Sequence, residues 1–285
     1  ENQYFKACRF DFKNLYAISR ESKNVTSQKY ENFLDKNKLI YQKVKIDNKI
    51  FNNKKISSVY EVHEGIYDFD IFRKKILLNL KNTRVKIKTN HELIKINKIK
   101  SIYDLSFNYN GRVTSDSFDI VINATYSNIN KIISMLKMNN INLEYNLQEL
   151  SIISFNKIKR IGVTIMDGNY PSILPLGNTN FHLFAHVVES QLKKENSKNN
   201  NLFQNNFITT NFINTINVSK KYIKLLDQAV YHKSIISCRV VNNNKNDTRK
   251  SEIIKHTNNF YSIFGAKIIT CMETANNIYH RINNL

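Results

Sequence analysis

The stretch Asn259–Thr270, "NFYSIFGAKIIT", decides how this chain is read. Phe260–Phe264 is apolar and rich in β-formers, so it reads as a strand. Thr270-Cys271-Met272-Glu273 matches a capping box, with Thr270 as N-cap of a closing helix. Met272, Ala275, Tyr279 and Ile282 then fall along one helical face. Between strand and helix stands Gly265, in a chain with only 6 glycines in 285 residues. Glycine lets the backbone turn freely and lets a flat ligand approach. The helix start adds unpaired N–H groups and the positive end of a dipole. A plain strand–turn–helix closing a domain meets the same pattern.

Upstream, "FDIVINATYSNIN" begins at Phe118. Ile120, Val121 and Ile122 are consecutive and apolar, which predicts a buried strand over 118–126. Asn123-Ala124-Thr125 puts small residues at its carboxyl end, where open α/β sheets bind ligands. Ile129, Ile132, Ile133 and Leu136 then mark a helix. Earlier still, Tyr30, Phe33 and Leu34 follow the caps Thr26 and Ser27 at helical spacing. Ile56–Val62 reads as a strand, and Phe69, Phe72, Ile76, Leu77 and Leu80 form one face of a helix behind Asp68. "VKIK" (85–88), "ELIKI" (92–96) and "IYDLSFNY" (102–109) read as short strands, the last ending in a turn near Gly111.

From about residue 150 the texture becomes that of an antiparallel sheet. "RIGVTIMDG", "PSILPLG", "FHLFAHVVES", "FITTNFI" and "IISCRVV" are apolar runs separated by Gly, Pro and Asp-Gly turns. "KKENSKNNNLFQNN" (193–206) reads as a surface loop, and Tyr222, Leu225, Leu226 and Ala229 as a helix behind Ser219. The order is mixed α/β, then mainly antiparallel β, then a strand and helix that return to the first layer.

Composition limits the function classes. The formal charge is +20, from 43 Lys and Arg against 23 Asp and Glu. Charge alone supports only non-specific attraction to nucleic acid. The lysines are scattered, and Lys, Asn, Ile, Tyr and Phe are abundant where Gly, Pro and Trp are scarce. That is the drift of a genome poor in G and C, so no specific nucleic-acid partner is expected. No apolar run is long enough to span a bilayer, and Cys8, Cys238 and Cys271 are too few and too far apart for a disulfide framework. A cytoplasmic location is the default expectation. Nothing in the sequence sets an oligomeric state.

The two strand-end motifs, in this order, resemble those of FAD-dependent oxidoreductases of the D-amino-acid oxidase and glycerol-3-phosphate dehydrogenase superfamily. There a helix like "YDFDIFRKKILLNL" precedes a strand pair like "VKIKTNHELIKI". A strand ending in Ala-Thr-Gly follows, then an antiparallel substrate domain, then a strand, a Gly-Gly-Lys-x-Thr turn and a last helix. The resemblance spans most of 55–285. It implies an α/β (mixed α+β) fold with an incomplete Rossmann-like FAD-binding layer, 59–126 and 251–285, and a substrate domain, 1–58 and 127–250. It also implies FAD as cofactor and hydride transfer from a small amine or hydroxy substrate to the flavin.

By the same resemblance Gly265, Ala266, Lys267, Ile268 and Thr270 would lie at the flavin's pyrimidine edge. Ala124 and Thr125 would lie near the diphosphate or ribitol, and the Leu93 backbone near the adenine. Two positions depart from the pattern: Tyr126 stands for the usual glycine and Ala266 for a second one. No G-x-G-x-x-G occurs, although that fingerprint opens the family's chain. An upstream βαβ segment left off the sequence is the expectation that joins these facts. A non-catalytic, degenerate member acting as a binding protein is the alternative.

Arg239, in "SCRVV", is a basic residue inside an apolar strand and needs a partner. The resemblance implies a role in holding a substrate carboxylate, suited to its forked donors; a structural ion pair is the competing reading. Arg249 is a second such candidate, on a loop. His182 and His186 are four apart on a strand and have no H-E-x-x-H pattern, so no metal is expected there.

Overall fold

A computed structural model of the chain describes residues 3–158, 160–197, 208–242, 251–265 and 267–283. The chain forms two compact units. One comprises Glu1–Val85, Gln148–Leu192 and Ile208–Ser237, the other Lys86–Leu147, Lys193–Phe207 and Cys238–Leu285. These boundaries differ from the expected layers. Residues 59–85 belong to the first unit because Ile56–Val62 pairs with Lys13–Ser19 on one side and Tyr41–Val44 on the other. Residues 127–147 belong to the second, where Ile132 of the helix Ile129–Met135 enters the core.

The first unit is built on a large sheet. Its strands run in the order Leu143–Phe155, Phe181–His186, Pro171–Pro175, Ile161–Met166, Lys13–Ser19, Ile56–Val62 and Tyr41–Val44. Neighbours are antiparallel except Ile161–Met166, which runs parallel to Lys13–Ser19. One face packs Leu15, Ala17, Val163, Ile173 and Phe184 with Phe212 and Ile216. Ile18 and Tyr60, on the other face, pack with Tyr30 and Leu34 of the helix Ser27–Lys36. That helix starts where the sequence predicts, Thr26 accepting the Lys29 N–H. Asp68 likewise caps the helix Phe69–Lys81. Of the apolar face expected on this second helix, only Phe72 is buried, and Phe69 is 61% exposed.

Three segments take a different form from the one expected. Within "FITTNFI" (207–213) residues 208–211 form no strand and Phe212–Ser219 is a helix, with Phe212, Thr215, Ile216 and Ser219 buried at helical spacing; Phe207 lies outside the described residues. The buried Glu149 carboxylate accepts the Asn211 N–H at its start (2.8 Å), and this tertiary bond outweighs the β-propensity of the segment. The helix expected over 222–229 is a short 3₁₀ turn, Lys224–Gln228, followed at once by the strand Ala229–Asn242. Part of the polar tract read as a loop is the strand Gln191–Ser197, which pairs with Leu143–Phe155; residues 198–206 lie outside the described residues.

The second unit contains two three-stranded sheets. His91–Ile99, Ile102–Tyr109 and Arg112–Phe118 form a meander. Its second turn uses Gly111 at φ 84°, a left-handed conformation glycine adopts freely. "VKIK" before it is not a strand, and Val85 and Ile87 are exposed. The other sheet orders Glu252–Thr257, Phe260–Phe264 and Val121–Asn123. Ile96, Tyr103, Leu105, Val121, Ile132 and Phe260 form the unit's core. The strand at 118–126 is shorter and less buried than expected: only Val121 and Asn123 are buried, while Ile120 and Ile122 face outward. Among the described residues no helix is long and apolar enough to cross a membrane.

Candidate functional site

The two motifs 139 residues apart meet side by side in the second unit. Val121–Asn123 and Phe260–Phe264 pair in parallel, with Phe260 opposite Val121, Tyr261 opposite Ile122 and Ser262 opposite Asn123. Parallel pairing puts both carboxyl ends at one edge of the sheet. Ala124-Thr125 and Gly265 therefore leave the sheet together. Ala124 and Thr125 are exposed there, and Gly265 is half-buried.

A polar chain, buried at Asn123 and Ser262, fixes the strand ends. The Asn123 amide donates to Ser262 Oγ (3.2 Å) and to the Ile129 carbonyl (3.0 Å). Its carbonyl oxygen accepts from Thr125 Oγ1 (2.7 Å) and the Thr125 N–H (3.3 Å), which bends the chain out of the strand. His256 Nε2 shares a bond with Ser262 Oγ at 2.9 Å, and burial pushes its pKa down, so the ring is held neutral. The sequence reading named Asn123 only as a small residue at a strand end. It missed Ser262 and His256, because nothing local announces a bond across two strands.

Tyr126, where the resembled family has glycine, sits at φ 52°. The backbone therefore keeps the left-handed conformation that glycine takes without strain. Two contacts hold the tyrosine there. Its ring stacks on Phe264 (centroids 6.2 Å apart, planes 19° apart), and its hydroxyl accepts the Val240 N–H at 2.9 Å.

Gly265 is required by space. A Cβ there would stand 2.6 Å from Ser251 Oγ and 3.1 Å from Ser251 Cβ. Ser251 Oγ also bonds Thr270 Oγ1 (2.7 Å), and Thr270 Oγ1 donates to the Lys267 carbonyl (2.9 Å). Thr270 is thus the end of a 3₁₀ turn, Ile268–Thr270, that leads into the helix Cys271–Asn283. Its hydroxyl ties that turn to Ser251 and Lys267 instead of capping. The buried face of the helix is Thr274 and Ile278, and Tyr279, expected inside, is 64% exposed. From the same helix Arg281 reaches the Ile253 carbonyl at 3.1 Å. Ala266 and Arg249 lie outside the described residues.

Arg239 is half-buried on Ala229–Asn242, next to the Val240 amide that Tyr126 holds. Its charge acts on Glu144. Burial alone would raise the Glu144 carboxyl, but bonds from Lys194 and Asn146 and the charges of Lys194 and Arg239 bring it below the usual range. Leu93 belongs to the meander, paired with Phe107, its half-buried side chain against the unit's core. In the first unit His182 and His186 are both buried, each with one ring nitrogen lacking a partner. No group of three His, Cys, Asp or Glu suited to a metal occurs among the described residues.

No protein-family model matches the sequence, and no curated protein does. Solved structures match at the level of fold. L-α-Glycerophosphate oxidase from Mycoplasma pneumoniae, determined dithionite-reduced with FAD bound, superposes with a TM-score of 0.69 at 15% identity, covering 99% of this chain and 75% of that one. L-Proline dehydrogenase from P. horikoshii gives 0.66 at 13% identity, covering 92% and 70%. Glycine oxidase from Geobacillus kaustophilus gives 0.65 at 10%, covering 90% of this chain and 66% of its own length. The chain has the fold of FAD-dependent oxidoreductases that the sequence motifs resemble.

Proposed function

We propose that the protein is an FAD-dependent oxidoreductase acting on a small amine or hydroxy substrate. The observation that supports this reading most strongly is the parallel pairing that brings Ala124-Thr125 and Gly265 to one sheet edge. The fold likeness to an FAD-bound oxidase over 99% of the chain supports it independently.

The residues present fit such a cofactor. At the shared edge one strand continues into an exposed Ala124, with a single methyl group, and the other into Gly265, with no side chain. Backbone can therefore approach a flat or phosphorylated group closely. Thr125, its N–H and hydroxyl turned to Asn123, gives that edge a fixed shape. The 13-residue helix Cys271–Asn283 and its 3₁₀ entry direct N–H groups and a partial positive charge out of its first turn, suited to an anionic ring or phosphate. When bound, FAD would supply the hydride acceptor, and this chain would position it and tune its charge. Lys267, exposed at the same turn, adds a positive charge. Arg239 is the residue we assign to a substrate carboxylate, and Leu93 the backbone we place near the adenine.

The test is flavin occupancy. The protein expressed from its full reading frame should purify with flavin absorbance or take up added FAD with quenching of flavin fluorescence. Ala124→Leu, at an exposed position, should reduce that uptake while the melting temperature stays unchanged. A colourless protein that ignores added FAD ends the proposal. So does an Ala124→Leu variant whose uptake equals that of the native chain.

A further inference from the structure

The first unit contains a cavity of about 340 Å³, at the small end of ordinary ligand sites. It opens between the helix Ser27–Lys36, the segment that follows it and the strands Lys13–Ser19 and Ile56–Val62. Tyr16, Tyr30, Leu34, Leu39 and Ile40 are among the side chains that make it apolar and aromatic, and among the described residues Glu64 is the only Asp, Glu, Lys or Arg that lines it, beside His63.

Glu64 is exposed and, like Asp35, Asp104 and Glu149, forms no ion pair among the described residues. Its Oε2 accepts from Tyr16 OH (2.7 Å) and from the Asn14 amide (3.0 Å). Among the described residues nothing donates to its Oε1, and no lysine or arginine forms an ion pair with it. That happens in a chain with 43 Lys and Arg and a charge of +20. The cavity is thus a local negative site on a strongly positive molecule.

The aromatic wall suits a cation. Tyr16 and Tyr30 stack at 6.2 Å with planes 24° apart, and ring faces attract ammonium groups. Both phenols stay protonated: burial, then the Glu64 charge, pushes Tyr30 up to about 12, and burial with the Glu64 bond raises Tyr16 further. The mouth is held open by backbone bonds. Leu39 N–H reaches the Leu34 carbonyl (2.9 Å) and His63 N–H the Ile40 carbonyl (3.2 Å), so Leu39 at 47% and Ile40 at 75% exposure are fixed in place.

We propose that this cavity binds an organic ammonium ion with an apolar tail, its charge on Glu64 and its tail along Tyr16, Tyr30 and the Leu39–Ile40 mouth. An anion would be repelled by Glu64, and a neutral ligand would gain nothing from its charge. None of these residues belongs to the strand-end site, so the inference stands whether or not the flavin reading does.

Calorimetric titration of the whole protein with hexylammonium, hexanol and hexanoate at one ionic strength tests it. Hexylammonium should bind at one site, about tenfold or more tighter than either other probe. Glu64→Gln, which keeps a polar side chain of the same size, should reduce hexylammonium to the level of hexanol. Phe33→Ala removes a 55% exposed ring from the cavity lining and so leaves the fold intact. It should weaken hexylammonium more than propylammonium, and it keeps the test decisive if Glu64→Gln does not fold. Three probes that bind alike, no saturable binding of hexylammonium, an undiminished ammonium preference in Glu64→Gln, or no effect of Phe33→Ala would each overturn the proposal.

Discussion

Replacing Tyr126 with glycine sets two opposing effects against each other. At φ 52° a tyrosine carries backbone strain of about 1–2 kcal/mol, which glycine relieves. Against this stand the contacts of the side chain. Val240, only 2% exposed, would lose the acceptor of its N–H, worth about 1–3 kcal/mol when a buried donor is orphaned. The stacked contact with Phe264 adds about 0.5–1.5 kcal/mol. Half-burial of the ring contributes about 1–2 kcal/mol more, and the looser unfolded chain of a glycine variant about 0.4–1 kcal/mol. The losses win. Tyr126→Gly should destabilise the second unit by about 3–4 kcal/mol, the balance of the midpoints of these terms. Tyr126→Phe, which keeps the ring and the strain, should cost about 1–3 kcal/mol through Val240 alone. Urea unfolding followed by circular dichroism gives the order, and hydrogen exchange at the Val240 amide locates the cause. Exchange there should accelerate in both variants. A glycine variant as stable as the native chain, with Val240 protection unchanged, would refute the view that contacts outweigh strain at this position.

Gly265→Ala should destabilise by about 1–3 kcal/mol because its Cβ would stand 2.6 Å from Ser251 Oγ. Adding Ser251→Gly should restore most of that loss in thermal unfolding; a double variant no better than Gly265→Ala removes the steric explanation. His182, fully buried, has its pKa pushed down to about 4 by burial. The folded state therefore binds fewer protons than the unfolded one, whose histidine titrates near 6.5. Stability should be complete above about pH 6.5 and fall by about 2–3 kcal/mol as pH drops to 4, with a flatter profile in His182→Gln. An identical profile in that variant assigns the slope to other groups. The charge of +20 should give only weak, salt-sensitive DNA binding, and tight sequence-selective binding at physiological salt in a gel-shift assay contradicts a scattered charge.

Much of this protein was determined by signals a few residues long. Asp68 and Thr26 start helices because their side chains accept N–H groups three residues on, and that chemistry is local. Phe260–Phe264 is a strand where its β-formers and the glycine after it say so. The fold type that the two strand-end motifs led one to expect is shared with solved structures at 15% identity or less. What the sequence left undetermined depends on partners far along the chain. The helix Phe212–Ser219 starts on a carboxylate at Glu149, and the last helix turns Thr274 and Ile278 inward where the sequence pattern placed Tyr279. The need for glycine at 265 comes from a serine 14 residues earlier, just before the strand that faces Phe260–Phe264. The polar chain His256–Ser262–Asn123–Thr125 exists only because two strands pair in parallel and in one register. Local propensities are worth tenths of a kcal/mol per residue, whereas a buried hydrogen bond or a steric overlap is worth about one or more. Where the two conflict, the tertiary structure decides.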